Sequence, residues 1–489
     1  MSIRRLIRAY RSIPKISHFF EMQLEERLRT KTPFWKSETE LEINKIIPPL
    51  KFKRVDIQVV SKLPKLNWRV LFDEGGICRI QAGENVELSD HYVFEGVWAG
   101  SFETCDFTES RYVFGSGVKI NRDSISFTPP THNLESIYLF HDKGTHKTVF
   151  SNSLISCIAE MPVEKRDQIV KNLAPTAHLA ATRMAEKGVL AYDPLAYSFD
   201  GISVYFLQYH NFTISSADGG ISIELKNECE KFEDFDGYVE FMKETISNLD
   251  KNGKHLKRKR RLEGLCTISS GYDSPAVSVI CSDVGIEKYC TIDSVIHGRS
   301  DSGADISKAL KISCNSYTHP LGKEVEDLNA VVSKKHLENM DIFLATFGVG
   351  DNYPIKAFEA ELADTVLYTG GYGDIYWAKD QVRRSGFRLK KPLERSITEY
   401  RLEQGFAFVP VPSIGALFPE SIFKISNSHE MKHWSLGGKY DRPIPRRIVE
   451  SRGVPRSFFG VKKNAVNPVA ENYIDRKIMS FHNVLKKYT

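Results

Sequence analysis

"EGLCTISSGYDSPAVSVICSDVG", residues 263–285, carries the reading of the fold. It opens on a near-continuous apolar run, the pattern of a parallel strand buried on both faces. It breaks on Ser269, Ser270 and Gly271 and resumes as a helix. Pro275 stands near the start of that helix and Gly285 at its end, the places where each residue is favoured. The turn admits two readings. Small residues let consecutive backbone N–H groups converge on one spot, an anion nest at the positive end of a helix. Asp273 would repel a bare phosphate, yet it suits Mg2+ held beside one. On the other reading Asp273 or Ser274 only caps the helix.

Working outward, the strand–helix unit repeats. "KYCTIDSVI" (288–296) reads as a second strand and "DISKALKIS" (305–313) as a second helix. A long helix is expected over about 325–347, and "DTVLYTGG" (364–371) as a further strand. Such alternation predicts an α/β fold with a doubly wound parallel sheet, in which ligands lie beyond the carboxyl ends of the strands. A second glycine-rich turn, "TGGYGD" (369–374), stands at such an end and closes on Asp374. Two turns with one Asp each, at one edge of one sheet, can hold a metal between them. That shifts the reading of the first turn from cap toward cradle.

These stretches resemble a known family. "SSGYDS" (269–274) resembles S-G-G-x-D-S, the pyrophosphate loop of the N-type ATP pyrophosphatases (PP-loop ligases). "TGGYGD" resembles the second acidic turn of asparagine synthetase-like enzymes. "VPRSFFGVKKNAVNP" (454–468) is similar to their C-terminal Leu-Pro…Arg-x-Lys segment. The match spans roughly residues 232–470. It implies an ATP pyrophosphatase-type synthetase domain over 231–489. Before it, "IYLFHDKGTHKTVFSNSLISCIA" (137–159) resembles a strand pair and helix of the glutamine-amidotransferase domain, which implies a β-rich, degenerate amidotransferase-like domain over 1–230.

The activity implied is carboxylate activation: the acid attacks the α-phosphate of ATP, giving an acyl-adenylate and pyrophosphate, and an amine then displaces AMP. The resemblance assigns ATP and pyrophosphate to Ser269, Ser270, Gly271, Tyr272, Asp273, Ser274, Gly370 and Gly371. It assigns Mg2+ to Asp273 and Asp374, and the catalytic cation to Lys463, with Lys462 the adjacent fallback. Adenine would pack at "CTIDSVI" (290–296). The implied partners are a small-molecule or peptide carboxylate and an amine or ammonia donor.

The chain also departs from the family pattern. Ser270 replaces the first glycine of the S-G-G pair, which would cost about 1 kcal/mol if the position needs a left-handed backbone. Ile375 stands where the family carries an acidic residue, which weakens the case for aspartate as substrate. The amidotransferase domain uses an N-terminal Cys, whereas this sequence begins Met-Ser-Ile and its first cysteine is Cys78. Glutamine hydrolysis is therefore not expected. Relatives without it, such as β-lactam synthetases and lasso-peptide cyclases, take ammonia from elsewhere or use an amine of the substrate.

Composition sets wider bounds. The 489 residues are 41% apolar and 26% charged with a net charge of +5, an ordinary globular balance that does not call for nucleic acid. Seven basic residues fall between Lys251 and Arg261, but no aromatic interleaves them, so a solvated linker and face is expected there rather than a nucleic-acid surface. Eight scattered cysteines without a C-x-x-C pair suggest a reducing, cytoplasmic setting and no disulfide framework. No apolar run reaches the roughly 18 residues of a membrane span. The basic, amphipathic N-terminus reads as a surface helix rather than a secretory signal.

Residues 51–150 show short alternating runs broken by Gly, Pro, Asn and Asp, the pattern of antiparallel sheet. Residues 151–195 read as largely helical, 201–225 as another strand pair, and "DFDGYVEFMKETISNL" (234–249) as an amphipathic helix.

Two lesser readings remain: a catalytically silent binding protein on the same fold, and a zinc hydrolase. "HEMKH" fits H-E-x-x-H, with His429 and His433 as ligands, Glu430 as base and Glu450 as third ligand. Gly437, Gly438, Pro443 and Pro445 leave that helix little more than two turns. Arg442, Arg446 and Arg447 precede Lys463 and are candidates for binding an acidic substrate or phosphate.

Overall fold

The computed structural model describes residues 40–72, 75–174, 195–226, 231–296, 298–325, 334–345, 352–379, 396–416, 419–438, 440–461 and 473–488. Lys462 and Lys463 lie outside the described residues, as do the basic N-terminus and, of the helix expected over 325–347, residues 326–333 and 346–347, while Val325 ends a short strand, Glu324–Val325. The described part of that helix is Lys334–Leu344.

The protein is mixed α/β, and one of its sheets is five-stranded and wholly parallel. Its strands are β1 (Glu263–Thr267), β2 (Lys288–Asp293), β3 (Asn315–Thr318), β4 (Thr365–Thr369) and β5 (Ala407–Pro410). In space they run β3-β2-β1-β4-β5. The chain thus winds outward from β1 to β3, then crosses to the other side of β1 to lay down β4 and β5. The winding reverses between β1 and β4; in sheets of this kind the ligand crevice lies at that point, outside the carboxyl ends of the strands. Leu265, Cys266, Val366, Leu367 and Tyr368 are buried, as two-faced strands require. The helix after β1, α1 (Asp273–Asp283), packs on β1 and β4 through Ala276, Val277 and Ile280.

The amino-terminal half holds a seven-stranded mixed sheet and a six-stranded antiparallel sheet. Trp68, Phe127 and Phe150 meet in the core between them, with Phe127 and Phe150 stacked at 4.1 Å. The antiparallel expectation holds with one exception. Arg54–Val59 pairs parallel with Ile77–Ala82, because Trp68–Phe72 turns back on the other side of Ile77–Ala82 instead of pairing with Arg54–Val59. The expected strand pair and helix are present as Ile137–Asp142, Lys147–Ser151 and Leu154–Ala159, the helix capped by Ser153, which accepts from the Ser156 N–H.

Most of the basic run is a solvated face, as expected: Lys251, Lys257, Lys259, Arg260 and Arg261 are exposed, and Arg258 is the exception. Arg258 is buried. It donates to the Gly96 carbonyl (2.8 Å) and to Asn252 Oδ1 (2.7 Å), and its guanidinium lies 4.6 Å from the Phe102 ring centre. Lys254 pairs with Asp250, Lys257 with Glu103 and Arg260 with Asp364. Sequence spacing shows the cations but not the distant carboxylates that receive them. A second joint is drier still. Arg401 donates to both oxygens of Glu95 (2.5 and 3.1 Å) and to Glu135 (2.6 Å), with all three side chains at most 3% exposed.

None of the described cysteines forms a disulfide. Among the described residues no helix is long and apolar enough to cross a membrane.

Candidate active site

Both glycine-rich turns stand at the crevice between β1 and β4, and they pack against each other. A Cβ on Gly370 would fall 2.6 Å from the Ser274 nitrogen and 2.7 Å from the Asp273 carbonyl carbon. One on Gly373 would fall 2.2 Å from the Asp273 carboxyl carbon. Glycine at both positions is what lets the Asp273 side chain seat in the second turn. Asp374 is the next residue along, so the two carboxylates lie on adjoining turns. Tyr372, between them, has φ +73°, a left-handed conformation that costs a bulky residue on the order of 1–2 kcal/mol. Its hydroxyl donates to Asn133 in the amino-terminal half at 2.9 Å, which holds the strained turn in place.

The first turn is pinned from within. The Ser269 N–H donates to Ser274 Oγ (2.7 Å), and the Ser274 hydroxyl bonds Ser269 Oγ (3.0 Å). The Gly271 N–H reaches Ser269 Oγ at 3.3 Å, and the Ser270 N–H goes to the Asp301 carbonyl at 3.1 Å. These three amides therefore have partners in the protein, because serine side chains compete for nearby backbone groups. What remains for an anion is the first turn of α1, whose leading N–H groups have no intrahelical acceptor. The helix makes no side-chain cap bond at Tyr272, so neither Asp273 nor Ser274 serves as its cap.

Ser270 does not sit in the left-handed region, so its replacement of glycine carries no strain. Its hydroxyl instead donates to Asp301 Oδ1 at 2.9 Å. Burial pushes the Asp301 carboxyl up to about 6, against the opposing pull of that hydrogen bond. Sequence reasoning missed Asp301. The available signal was the small, polar "GRSDSG" loop (298–303) following the second strand at the same sheet edge. Ile375 packs partly buried against the core.

The third stretch closes on the first turn as well. The Gly460 N–H donates to the Ser270 carbonyl at 3.0 Å. A Cβ on Gly460, whose φ is +63°, would fall 2.4 Å from the Tyr272 ring. The described part of this segment ends at Val461, one residue past that contact, and Lys462 and Lys463 lie outside the described residues.

The three arginines separate. Arg442 pairs with Asp273, its guanidinium 4.9 Å from the Tyr440 ring centre. Burial works to lower its affinity for the proton, but Asp273, Tyr440 and Asp374 together hold it above the ordinary value. Arg446 is buried in the framework, bonded to the Tyr272 hydroxyl and Glu450, each at 2.6 Å. Arg447 pairs with Glu430 at 2.7 Å, away from the turns.

The same contacts weigh against zinc at 429–433. His429–Trp434 forms a 3-10 helix, and with three residues per turn His429 and His433 do not share a face. Glu430 is held by Arg447 and by the Phe235 N–H, while Glu450 is held by Arg446 and Arg456. Among the described residues no three His, Cys, Asp or Glu side chains cluster as a metal cage. A Mg2+ shared with phosphate has a smaller demand, one or two carboxylates. Asp273 and Asp374 stand one on each of the two turns that glycine brings together.

No protein-family model matches the chain, and no curated protein matches it either.

Proposed function

We propose that the chain is an ATP-dependent, AMP-forming ligase that activates a carboxylate and joins it to an amine. Residues 231–489 would form a doubly wound synthetase domain of the asparagine synthetase-like type. Residues 1–230 would be a degenerate amidotransferase-like domain. One observation carries the reading. Two turns with an Asp each meet at the point where a parallel sheet reverses its winding, and glycines allow their contact. A third stretch resembling the same family packs on the first of them.

The proposed division of labour is as follows. The leading N–H groups of α1 favour negative charge and would bind the leaving pyrophosphate. Ser269 and Ser274 fix the shape of the loop, and Gly370 and Gly371 give backbone access from the opposite side. Asp273 and Asp374 would hold Mg2+, which supplies charge neutralisation on the phosphates when bound. Lys463 is assigned, on the resemblance, to the charge that develops at the α-phosphate. Bond making is between a substrate oxygen and phosphorus, and the protein's part is to place and neutralise.

The test is exchange of labelled pyrophosphate into ATP, with Mg2+ and pooled carboxylic acids as substrate. The reading expects exchange in the wild type and none in Asp273→Ala. Release of ADP instead of AMP would sink it. ATP binding without exchange across a broad acid panel would favour the silent binding protein.

A further inference from the structure

Arg442 engages one of the two carboxylates that the proposed function assigns to Mg2+. Its guanidinium is paired with Asp273 Oδ2, and the side chain is 7% exposed against 16% for Asp273. It is mounted firmly: the backbone of Arg442 is the start of the helix Pro443–Glu450, and the side chain lies between Tyr440 (4.9 Å) and Tyr272 (5.8 Å). Asp441, next to it, is engaged elsewhere, accepting from the Leu436 and Gly437 N–H groups at 3.1 and 3.0 Å. It does not compete for Arg442. The guanidinium carries five donors and places one on Asp273, so its fork retains donors for a second anion.

We infer that Arg442 is an exchangeable counter-ion, which neutralises Asp273 in the ligand-free protein and passes to a phosphate group when metal and phosphate arrive together. This rests on the ATP-site reading above. A bare divalent cation entering between Asp273 and Asp374 would meet a fixed positive charge already paired with one of its ligands. Repulsion at that range in a partly dry site is strong. A metal that arrives with phosphate brings the negative charge that both cations need. The guanidinium can then turn its planar fork from carboxylate to phosphate, for which its geometry is equally suited. Metal and phosphate binding are thereby coupled: the Asp pair is closed to metal alone and opens to the metal–phosphate complex.

The test uses Mn2+ as probe, followed as protein-retained manganese in equilibrium dialysis, on the full-length protein with and without inorganic pyrophosphate. Wild type is expected to bind Mn2+ with pyrophosphate but not Mn2+ alone at comparable concentration. Arg442→Gln is expected to bind Mn2+ alone at least tenfold more tightly than wild type, and Mn2+ with pyrophosphate at least tenfold less tightly. A purely structural role for Arg442 predicts no gain in metal affinity. If wild type binds Mn2+ with pyrophosphate but Arg442→Gln gains nothing for Mn2+ alone, the exchange is overturned and the site reading stands. If wild type binds neither Mn2+–pyrophosphate nor Mn2+–ATP, the site reading itself fails. Should Arg442→Gln not fold, wild type and Asp273→Asn decide: tight binding of Mn2+ alone by wild type, lost in Asp273→Asn, overturns the proposal.

Discussion

Two of the arginine–carboxylate pairs, those of Arg401 and Arg442, stand in surroundings that give them opposite parts. Arg401 is enclosed by Glu95 and Glu135 at 0–3% exposure, and Glu95 takes further hydrogen bonds from Ser116 (2.9 Å) and Asn152 (3.3 Å). Every partner there comes from the protein and none can leave. Arg442 has one carboxylate partner for its hydrogen bond, aromatic faces on its flanks, and a second Asp close enough to act on its charge. It lies beside a helix N-terminus at the mouth of a crevice. Similar chemistry serves as a joint in one place and as a replaceable contact in the other. What separates them is how many fixed partners share the charge.

The largest effect expected from breaking this comparison is at the joint. Arg401→Met strands two buried carboxylates and should cost on the order of 3–5 kcal/mol, seen as a large fall in the urea midpoint. Adding Glu95→Gln and Glu135→Gln to it should recover part of that loss. Recovery of nothing would mean that the joint holds by shape rather than charge.

Next comes the contact between the turns. Gly373→Ala places a Cβ 2.2 Å from the Asp273 carboxyl carbon, and Asp273 cannot retreat while Arg442 holds it. Overpacking of this kind costs about 1–3 kcal/mol. The pyrophosphate exchange rate should drop at least tenfold while the melting curve stays cooperative. An unchanged rate would detach Asp273 from the proposed site.

Glu399 sharpens the contrast, being a buried carboxylate that pairs with no arginine among the described residues. It accepts from Ser153 (2.9 Å), Tyr488 (2.8 Å) and the Ile155 N–H (3.4 Å). Burial pushes its carboxyl up to about 7 from the ordinary 4.5, against those hydrogen bonds. The folded protein therefore keeps a proton that the unfolded chain loses between pH 4.5 and about 7. The Glu399 contribution to stability is full below that window, falls as pH rises through it, and stays low above it. Glu399→Gln should flatten this decline in urea titrations at pH 5, 6, 7 and 8. An identical pH slope in wild type and variant would contradict it.

The smallest effect belongs to Ser270→Ala, which removes the hydrogen bond to Asp301 and should cost about 1 kcal/mol. Stability should drop by no more than that, with the Asp301 carboxyl titrating at a higher pH by carbon-detected NMR, since the hydrogen bond that opposes burial is gone.

How much of this was readable beforehand depends on distance along the chain. The strand–turn–helix at 263–285 was legible because a two-faced strand leaves a continuous apolar run and the helix is marked by Pro275 and Gly285. The second turn was legible for the same reason, and the glycines flanking 429–433 already argued against a long zinc-binding helix. The pairing of Asp273 with Arg442 joins residues 169 apart in sequence. No local pattern encodes it, so Arg442 read only as one of three similar arginines. Arg258 and Arg401 were opaque in the same way: a basic run shows its own charge and says nothing of Gly96, Glu103 or Asp364, and nothing near Arg401 points to Glu95. The parallel pairing of Arg54–Val59 was hidden because alternation reports which face of a strand is buried and not the direction of its neighbour.

The central claim is that the crevice between β1 and β4 binds ATP through Asp273. It is tested most directly by calorimetric titration of ATP with Mg2+ into wild type and Asp273→Ala, both shown to be folded by their melting curves. The account predicts one site per chain in wild type and at least a tenfold weaker affinity in Asp273→Ala. Equal affinity in the two proteins, or no binding by wild type, would contradict it.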